Sequence, residues 1–356
     1  MKFSLFFEMQ IAGPDADSEP QLFHQCVEQA ILADQLGYHS IWAVEHHGLF
    51  EYSHSSAPEV FLSFVAARTE RIRLGHGITL TPQRYSHPIR VAERVATLDI
   101  LSRGRVSWGS GKSGSLTEQN AFEVNRAELD GEWREALDMI PRMWQEEVFE
   151  YVGRYYDIPP IRVVPRPVQK PHPPIFAACT RPQGAEEIGK LGVGVLSFAL
   201  GHDDMIAAMV ASYRNAIAQA TPEAYRKNDH FACTPTALCL MDDRKACRYG
   251  FRGGSYFNRA MAAYYQAGTR QVGPLGLQCN FLPEEDLTRA MALRGTRDSA
   301  GLTLTGDPSF CREMAARYRA AGVDELILIM QLGTVPHDIV MESIRTFGEE
   351  VLPHFS

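Results

Sequence analysis

Short β-branched or aromatic runs alternate with helical periods along most of the chain, and that alternation most constrains its fold. Phe3–Phe7, Ser40–Val44, Ile72–Leu80, Arg105–Gly109, Pro174–Ala178 and Gly194–Phe198 read as strands, and so do Phe231–Met241 and Asp324–Met330. Helical spacing falls between them, at Pro20–Leu36, Pro58–Arg68, His87–Leu101, Arg126–Trp144, Pro182–Lys190, Asp203–Gln219, Asp242–Gln266, Pro308–Ala321 and Ile339–Val351. Gly37 is placed to end the first helix. A strand followed by a helix returns the chain to the same end of the sheet, which makes the sheet parallel. About eight such βα units predict an α/β fold of closed type, a (β/α)8 TIM barrel, with residues 1–356 as a single domain.

Two stretches interrupt the rhythm. Phe149–Pro174, rich in Pro, Tyr and Arg, reads as a surface hairpin and loop. Thr269–Thr305 carries Gly, Thr, Arg and Pro with no clean period, and reads as a long insertion and candidate mobile active-site loop near the barrel mouth.

Composition excludes several function classes. Lys and Arg number 35 against 43 Asp and Glu, a formal charge of −8, so the basic face expected of a nucleic-acid binder is missing. An uninterrupted apolar run of roughly 18 residues is absent, so no membrane span is expected. The opening MKFSLFFEMQ reads as a first strand and not as a signal peptide, because Glu8 breaks its apolar stretch. Seven cysteines without a CxxC pair suggest free thiols of a cytoplasmic protein, with neither a disulfide framework nor a metal site.

Barrel active sites lie at the C-terminal ends of the strands, which selects a short set of candidates. After the second strand come Glu45, His46 and His47. Side chains alternate along a strand, so only one of the two imidazoles is expected to face the mouth, where it can move a proton near neutral pH. A hydrogen-bonded loop pair is the plainer alternative. A zinc site would need ligands from elsewhere, such as His54 or His76. After the fourth strand, Gly109-Ser110-Gly111-Lys112-Ser113-Gly114 offers open N–H groups and one cation, suited to a phosphate or to a simple tight turn. After the fifth, Cys179-Thr180-Arg181-Pro182-Gln183-Gly184 opens a helix whose N-terminus suits an anion, or is an ordinary helix start. The glycines of Gly75-His76-Gly77 permit close approach of a flat ring or tight packing inside the barrel. No GxGxxG stands between a strand and a helix, which disfavours a dinucleotide fold.

Taken in order, these segments resemble the bacterial luciferase-like, flavin-dependent monooxygenases. The resemblance runs through Ser40-Ile41-Trp42 and Glu45-His46-His47, Arg73-Leu74-Gly75 with Ile78-Thr79-Leu80, His87-Pro88-Ile89-Arg90, and Leu98 to Arg105. It continues through the Gly109–Lys112 turn, Thr305-Gly306-Asp307-Pro308, Ala321 to Glu325 and Phe347 to Pro353. It implies a (β/α)8 barrel holding FMN as FMNH2, supplied by a separate NAD(P)H:flavin reductase. Reduced flavin and O2 would give a C4a-(hydro)peroxyflavin that oxygenates a small organic substrate. By the same resemblance His46 is the catalytic proton-transfer residue, while His76, Gly77, Gly111, Lys112, Thr180, Arg181, Gln183 and Gly184 bind the cofactor. His76-Gly77 falls where some members have a non-proline cis peptide beneath the flavin. Dimerisation through helices of the first half is also implied.

The chain departs from the pattern at Gly111, where luciferase has a cysteine, and at Cys179-Thr180-Arg181, which replaces a Ser-rich start of the phosphate loop. Related barrels transfer hydride with deazaflavin F420, so an F420-dependent oxidoreductase is the enzymatic alternative. A non-catalytic flavin-binding subunit is the other.

Overall fold

The computed structural model describes residues 1–179, 181–198, 201–265, 272–299 and 301–355. Eight parallel strands close into a barrel: Lys2–Phe7, Ser40–Ala43, Arg73–Leu80, Val106–Gly111, Ile175–Cys179, Gly194–Phe198, Phe231–Thr234 and Glu325–Leu328. Each pairs with the next in chain order, and the eighth closes on the first with Lys2 opposite Glu325. The predicted (β/α)8 barrel is therefore the observed one.

Local chemistry explains where the surrounding helices begin and end. Asp307 accepts a hydrogen bond from the Phe310 N–H at 2.8 Å, with Pro308 in the first turn, and so starts helix Pro308–Ala320. Gly37 sits at φ 83° and stops helix Ser18–Leu36, where a side chain would be strained. Inside the barrel, a Cβ on Gly75 would lie 2.2 Å from the Trp42 indole. Packing against Trp42, not approach of a ligand, explains that glycine.

Two predicted elements differ. Phe231–Met241 is not one strand: Phe231–Thr234 belongs to the barrel, and Ala237–Cys239 pairs separately with Leu304–Gly306. Pro235 has no N–H to give to the ladder and divides them. The stretch read as loop over Thr269–Thr305 holds a helix, Glu284–Leu293, and the strand Leu304–Gly306. Glu284, Glu285 and Asp286 crowd the first turn of that helix, where the dipole favours negative charge. Leu287 is fully buried beneath it. Thr269 to Gln271 and Ala300 lie outside the described residues. The predicted hairpin is present as Phe149–Val152 paired antiparallel with Asp157–Ile161.

Among the described residues, no helix is long and apolar enough to cross a membrane.

Candidate active site

The C-terminal ends of the first, second and fourth strands bring Glu8, His46 and Glu118 together. Glu8 follows Phe7 directly, and His46 stands in the loop after Ala43. Glu118 comes from a short helix, Leu116–Ala121, after the fourth strand. His46 Nδ1 lies 3.0 Å from Glu118 Oε1, and the same oxygen accepts the His47 N–H at 2.9 Å. The other Glu118 oxygen accepts the Ser113 hydroxyl at 2.7 Å. The His46 loop is itself fixed: its N–H donates to the Ser55 carbonyl at 2.9 Å, and Ser55 Oγ donates to the Val44 carbonyl at 2.7 Å.

The free edge of the imidazole faces two groups. Nε2 is 3.3 Å from the Tyr265 hydroxyl and 3.8 Å from Glu8 Oε2. Glu8 is buried, and its other oxygen accepts the Tyr52 hydroxyl at 2.7 Å. Burial disfavours charge on His46, but the carboxylate of Glu118, its hydrogen bond, and Glu8 outweigh it and push the imidazole up to about 9. Burial also opposes ionisation of Glu118. There, the His46 charge and the bonds from His46, Ser113 and His47 prevail, and its acidity is strengthened. For Glu8 the balance goes the other way: burial dominates and raises its pKa.

His47 turns away from this group. Its ring stacks with Tyr85 and contacts Phe122 at 4.8 Å, and its Nε2 meets Glu45 Oε1 at 3.3 Å. Glu45 also accepts the Leu80 N–H at 2.9 Å and so ties the second strand's end to the third. One imidazole faces the mouth, as expected, although both lie in the loop beyond Ala43, where hydrogen bonds to Glu118 and Glu45 rather than strand alternation set their directions.

The remaining candidates divide. His76 does not join the mouth: its neighbours Gly75 and Gly77 abut Trp42 and Phe6 inside, which turns the imidazole outward. It is buried there, without a hydrogen-bond partner, and burial pushes it down to about 4. The cis peptide is Gly77–Ile78, one bond after the pair singled out from the sequence. A Cβ on Gly111 would lie 2.8 Å from Ile78 Cδ1, so strand packing accounts for that glycine.

Lys112 extends from the fourth strand beside the fifth, with Ser110 opposite Ala177. It pairs with Asp130 and lies 5.3 Å from the centre of the Trp133 ring. Arg134 bonds the same Asp130 at 2.7 Å and reaches Glu187 of helix Pro182–Leu191 at 3.8 Å. Arg181 precedes that helix, exposed, and no acidic group pairs with it among the described residues. Gln183 is exposed in the first turn, and a Cβ on Gly184 would meet Cys179 Cβ at 3.0 Å. Thr180 lies outside the described residues. Each of these two neighbouring loops carries a cation, and the second adds first-turn N–H groups, a chemistry suited to an anion.

Across the mouth lies a cavity of about 570 Å³. Phe198, Phe257, Met261, Leu293 and Ile329 give it an apolar wall, with Thr234, Thr236, Ser255 and Asn258 as polar points and Arg259, Arg294 and Asp298 as charged ones. Phe257 touches Tyr52 with ring centres 5.5 Å apart, which places the cavity one side chain from the His46 group. The insertion closes this side. Leu275 donates its N–H to Glu51 Oε2, while Tyr256 donates to Glu51 Oε1 at 2.6 Å.

Glu8, Glu118, Tyr52 and Tyr265 were not selected from the sequence. Glu8 was legible by the strand-end rule that selected Glu45 to His47. Glu118 left one trace, a Ser-x-x-Glu spacing from Ser115 that marks helix starts.

Residues 1–325 match the family described as luciferase-like monooxygenase, and the chain belongs to that family. It is similar to the oxygenase component of flavin-dependent trigonelline monooxygenase from Acinetobacter baylyi, 31% identical over 52% of this chain and 51% of that protein. It is also similar to F420-dependent hydroxymycolic acid dehydrogenase from Mycobacterium tuberculosis, 33% identical over 53% of this chain and 54% of the other. The chain thus spans about half the length of each of these two relatives. The monooxygenase RslO1 from Streptomyces bottropensis superposes with a TM-score of 0.83 at 28% identity, covering 100% of both chains. The family includes flavin-dependent monooxygenases and F420-dependent enzymes.

Proposed function

We propose that the protein is the oxygenase of a two-component, FMN-dependent monooxygenase. It would take FMNH2 from a separate NAD(P)H:flavin reductase and oxygenate a small organic substrate with O2. The observation that carries this reading is the His46–Glu118 pair at the barrel mouth, one side chain from an apolar cavity. When bound, reduced flavin activates O2 so that one oxygen atom passes to substrate and the other leaves as water.

The chain's own residues do the rest. Arg181, Lys112, Gln183, Gly184 and Thr180 hold the phosphate, with Gly77 and Gly111 in the strands beneath. His76 contributes backbone only. Glu118 fixes the His46 tautomer by holding Nδ1–H, which leaves Nε2–H as the proton offered toward the mouth. The cavity takes a mainly apolar molecule and, with the insertion over it, excludes water.

An F420-dependent hydride transfer is the second reading, favoured by the likeness to the hydroxymycolic acid dehydrogenase. F420 carries an acidic tail that needs more cations than a single phosphate does, and of the two cations on these loops Lys112 already shares Asp130. A non-catalytic subunit has no use for an intact His46–Glu118 pair. We place the protein in the cytoplasm, since all seven cysteines are free thiols. We also place it in a homodimer, because Val60 and Phe64 on helix Pro58–Ala66 and Leu101 on helix Pro88–Leu101 are at least half exposed.

The test is anaerobic equilibrium binding of reduced FMN, oxidised FMN and F420, followed by admission of 18O2 with a panel of apolar alcohols and ketones. Reduced FMN binding at least tenfold tighter than the other two, with 18O in a product, is the expected result. Tighter binding of F420, with alcohol oxidation and no 18O uptake, overturns it.

A further inference from the structure

A buried carboxyl group beside an imidazole that must release a proton each cycle has a use of its own. Glu8 is 1% exposed, and its Oε2 has no hydrogen-bond partner. That oxygen is aimed at His46 Nε2, 3.8 Å away, while Oε1 is held by the Tyr52 hydroxyl. Burial penalises a carboxylate with an unbonded oxygen more than a neutral carboxylic acid, and the His46 cation 3.8 Å away offsets only part of that penalty.

We propose that Glu8 is the acid that returns a proton to His46 Nε2 after each turnover, a role that rests on the proton-transfer reading of His46.

The step balances. Once His46 has given up its Nε2 proton, the Glu8 Oε2–H bond breaks and an N–H bond forms on neutral Nε2. The electron pair stays on Oε2, leaving a carboxylate beside an imidazolium, and a solvent proton restores Glu8 at the end of the cycle. Nothing is oxidised or reduced.

The groups facing Glu8 all bear on which form is held. His46 and Tyr52 come from the loop after the second strand, Glu118 from helix Leu116–Ala121, and Tyr265 from the end of helix Asp243–Tyr265. Burial and the negative charge of Glu118 favour the neutral acid. The His46 cation and the Tyr52 and Ser53 hydroxyls favour the carboxylate, and burial is the larger influence. When His46 becomes neutral, Glu8 loses the cation that favoured its carboxylate, so the transfer is driven by the basicity of the imidazole, and the carboxylate–imidazolium pair it forms titrates as one coupled unit.

The experiment compares the wild-type chain with Glu8→Gln and Tyr52→Phe, first without cofactor. At neutral pH the wild-type infrared spectrum should show the carbonyl band of a protonated carboxylic acid. Glu8→Gln should lack that band, and Tyr52→Phe should shift its frequency. Nitrogen NMR of His46 should show two coupled titration steps in wild type and one in Glu8→Gln. With reduced FMN supplied repeatedly, Glu8→Gln should slow multiple turnovers at least tenfold more than a single turnover, and a small added acid should restore the rate. No carbonyl band in wild type, or equal single and multiple turnover in Glu8→Gln, overturns the Glu8 role and leaves the monooxygenase reading intact. A wild type that binds no reduced FMN overturns both.

Discussion

The barrel holds two buried groups built from the same parts, a glutamate and a histidine, at opposite ends. At the mouth, His46 stands between Glu118 and Glu8. At the floor, Glu325 opens the eighth strand. Its Oε1 accepts the Ser4 hydroxyl at 2.6 Å and the Trp42 indole N–H at 3.0 Å, and its Oε2 meets His230 Nε2 at 2.9 Å. Every oxygen of Glu325 is satisfied, and although burial opposes its charge, His230, His39 and Ser4 hold it down to about 2. The floor carboxylate is locked in one ionisation state. The mouth keeps an oxygen of Glu8 without a partner and an imidazole that shares its proton with neighbours. Complete satisfaction suits a group that holds the barrel closed, and the incomplete one suits the proton transfer proposed for the mouth.

Activity should separate the two ends most sharply. His46→Gln, which keeps an N–H donor for Glu118, is expected to lower turnover by about 10²–10⁴-fold, the usual worth of a positioned proton donor, with a smaller loss of stability than Glu325→Ala. Glu325→Ala should do the opposite. Removing one partner of the buried pair strands His230 and the Trp42 N–H, at about 3–5 kcal/mol of stability, with cofactor binding retained in whatever remains folded. Urea unfolding beside single-turnover kinetics reads both. A His46 variant that unfolds like the Glu325 variant would break the contrast.

The two ends also give stability opposite dependences on pH. Glu325 has a depressed pKa, so its contribution is present above its ordinary 4.5 and is lost as pH falls through about 2. His46 has a raised pKa, so its contribution is present below its ordinary 6.5 and is lost as pH rises through about 9. Each shift corresponds to about 3 kcal/mol at most. The alkaline limb therefore belongs to the mouth through His46, while the acid limb is shared between Glu325 at the floor and Glu118 at the mouth, whose pKa is also lowered. Glu118→Gln should flatten the alkaline limb, remove the Glu118 share of the acid limb, and move the His46 titration from about 9 toward 6.5, while reducing turnover about tenfold. Chemical denaturation at a series of pH values, with His46 followed by NMR, checks the sign. An unchanged alkaline limb would sink the assignment.

Which of these features the sequence exposes depends on how local their causes are. Strand and helix periods, Gly37 and the Asp307-Pro308 start are local, and they lead to the barrel. The strand-end rule adds His46, because two adjacent imidazoles on opposite faces leave one for the mouth. His76 could have been turned outward on the same grounds, since Gly75 and Gly77 occupy the two inward positions around it. Glu118 and Tyr265 are 72 and 219 residues away from His46, and only barrel closure makes them neighbours. Glu325 is harder still. It begins a strand that is otherwise Leu-Ile-Leu, and its partners come from the first and second strands and the residue before the seventh.

The proposed phosphate side of the mouth offers the mildest contrast, between two cations that differ in what already holds them. Lys112 is partly exposed and paired with Asp130, so binding an anion means giving up part of an existing ion pair. Arg181 is exposed at a helix N-terminus with no acidic partner among the described residues, so its fork is open to a phosphate. Arg181→Ala should therefore weaken FMN about tenfold relative to riboflavin, the worth of one charged hydrogen-bonding group. Lys112→Ala should cost about threefold or less, in line with an exposed pair. Asp130→Asn, which frees Lys112, should tighten FMN and leave riboflavin unmoved. Titrations of the reduced forms at two salt concentrations measure all three. A Lys112 variant weaker than the Arg181 variant would move the centre of the phosphate site from the fifth strand's loop to the fourth's.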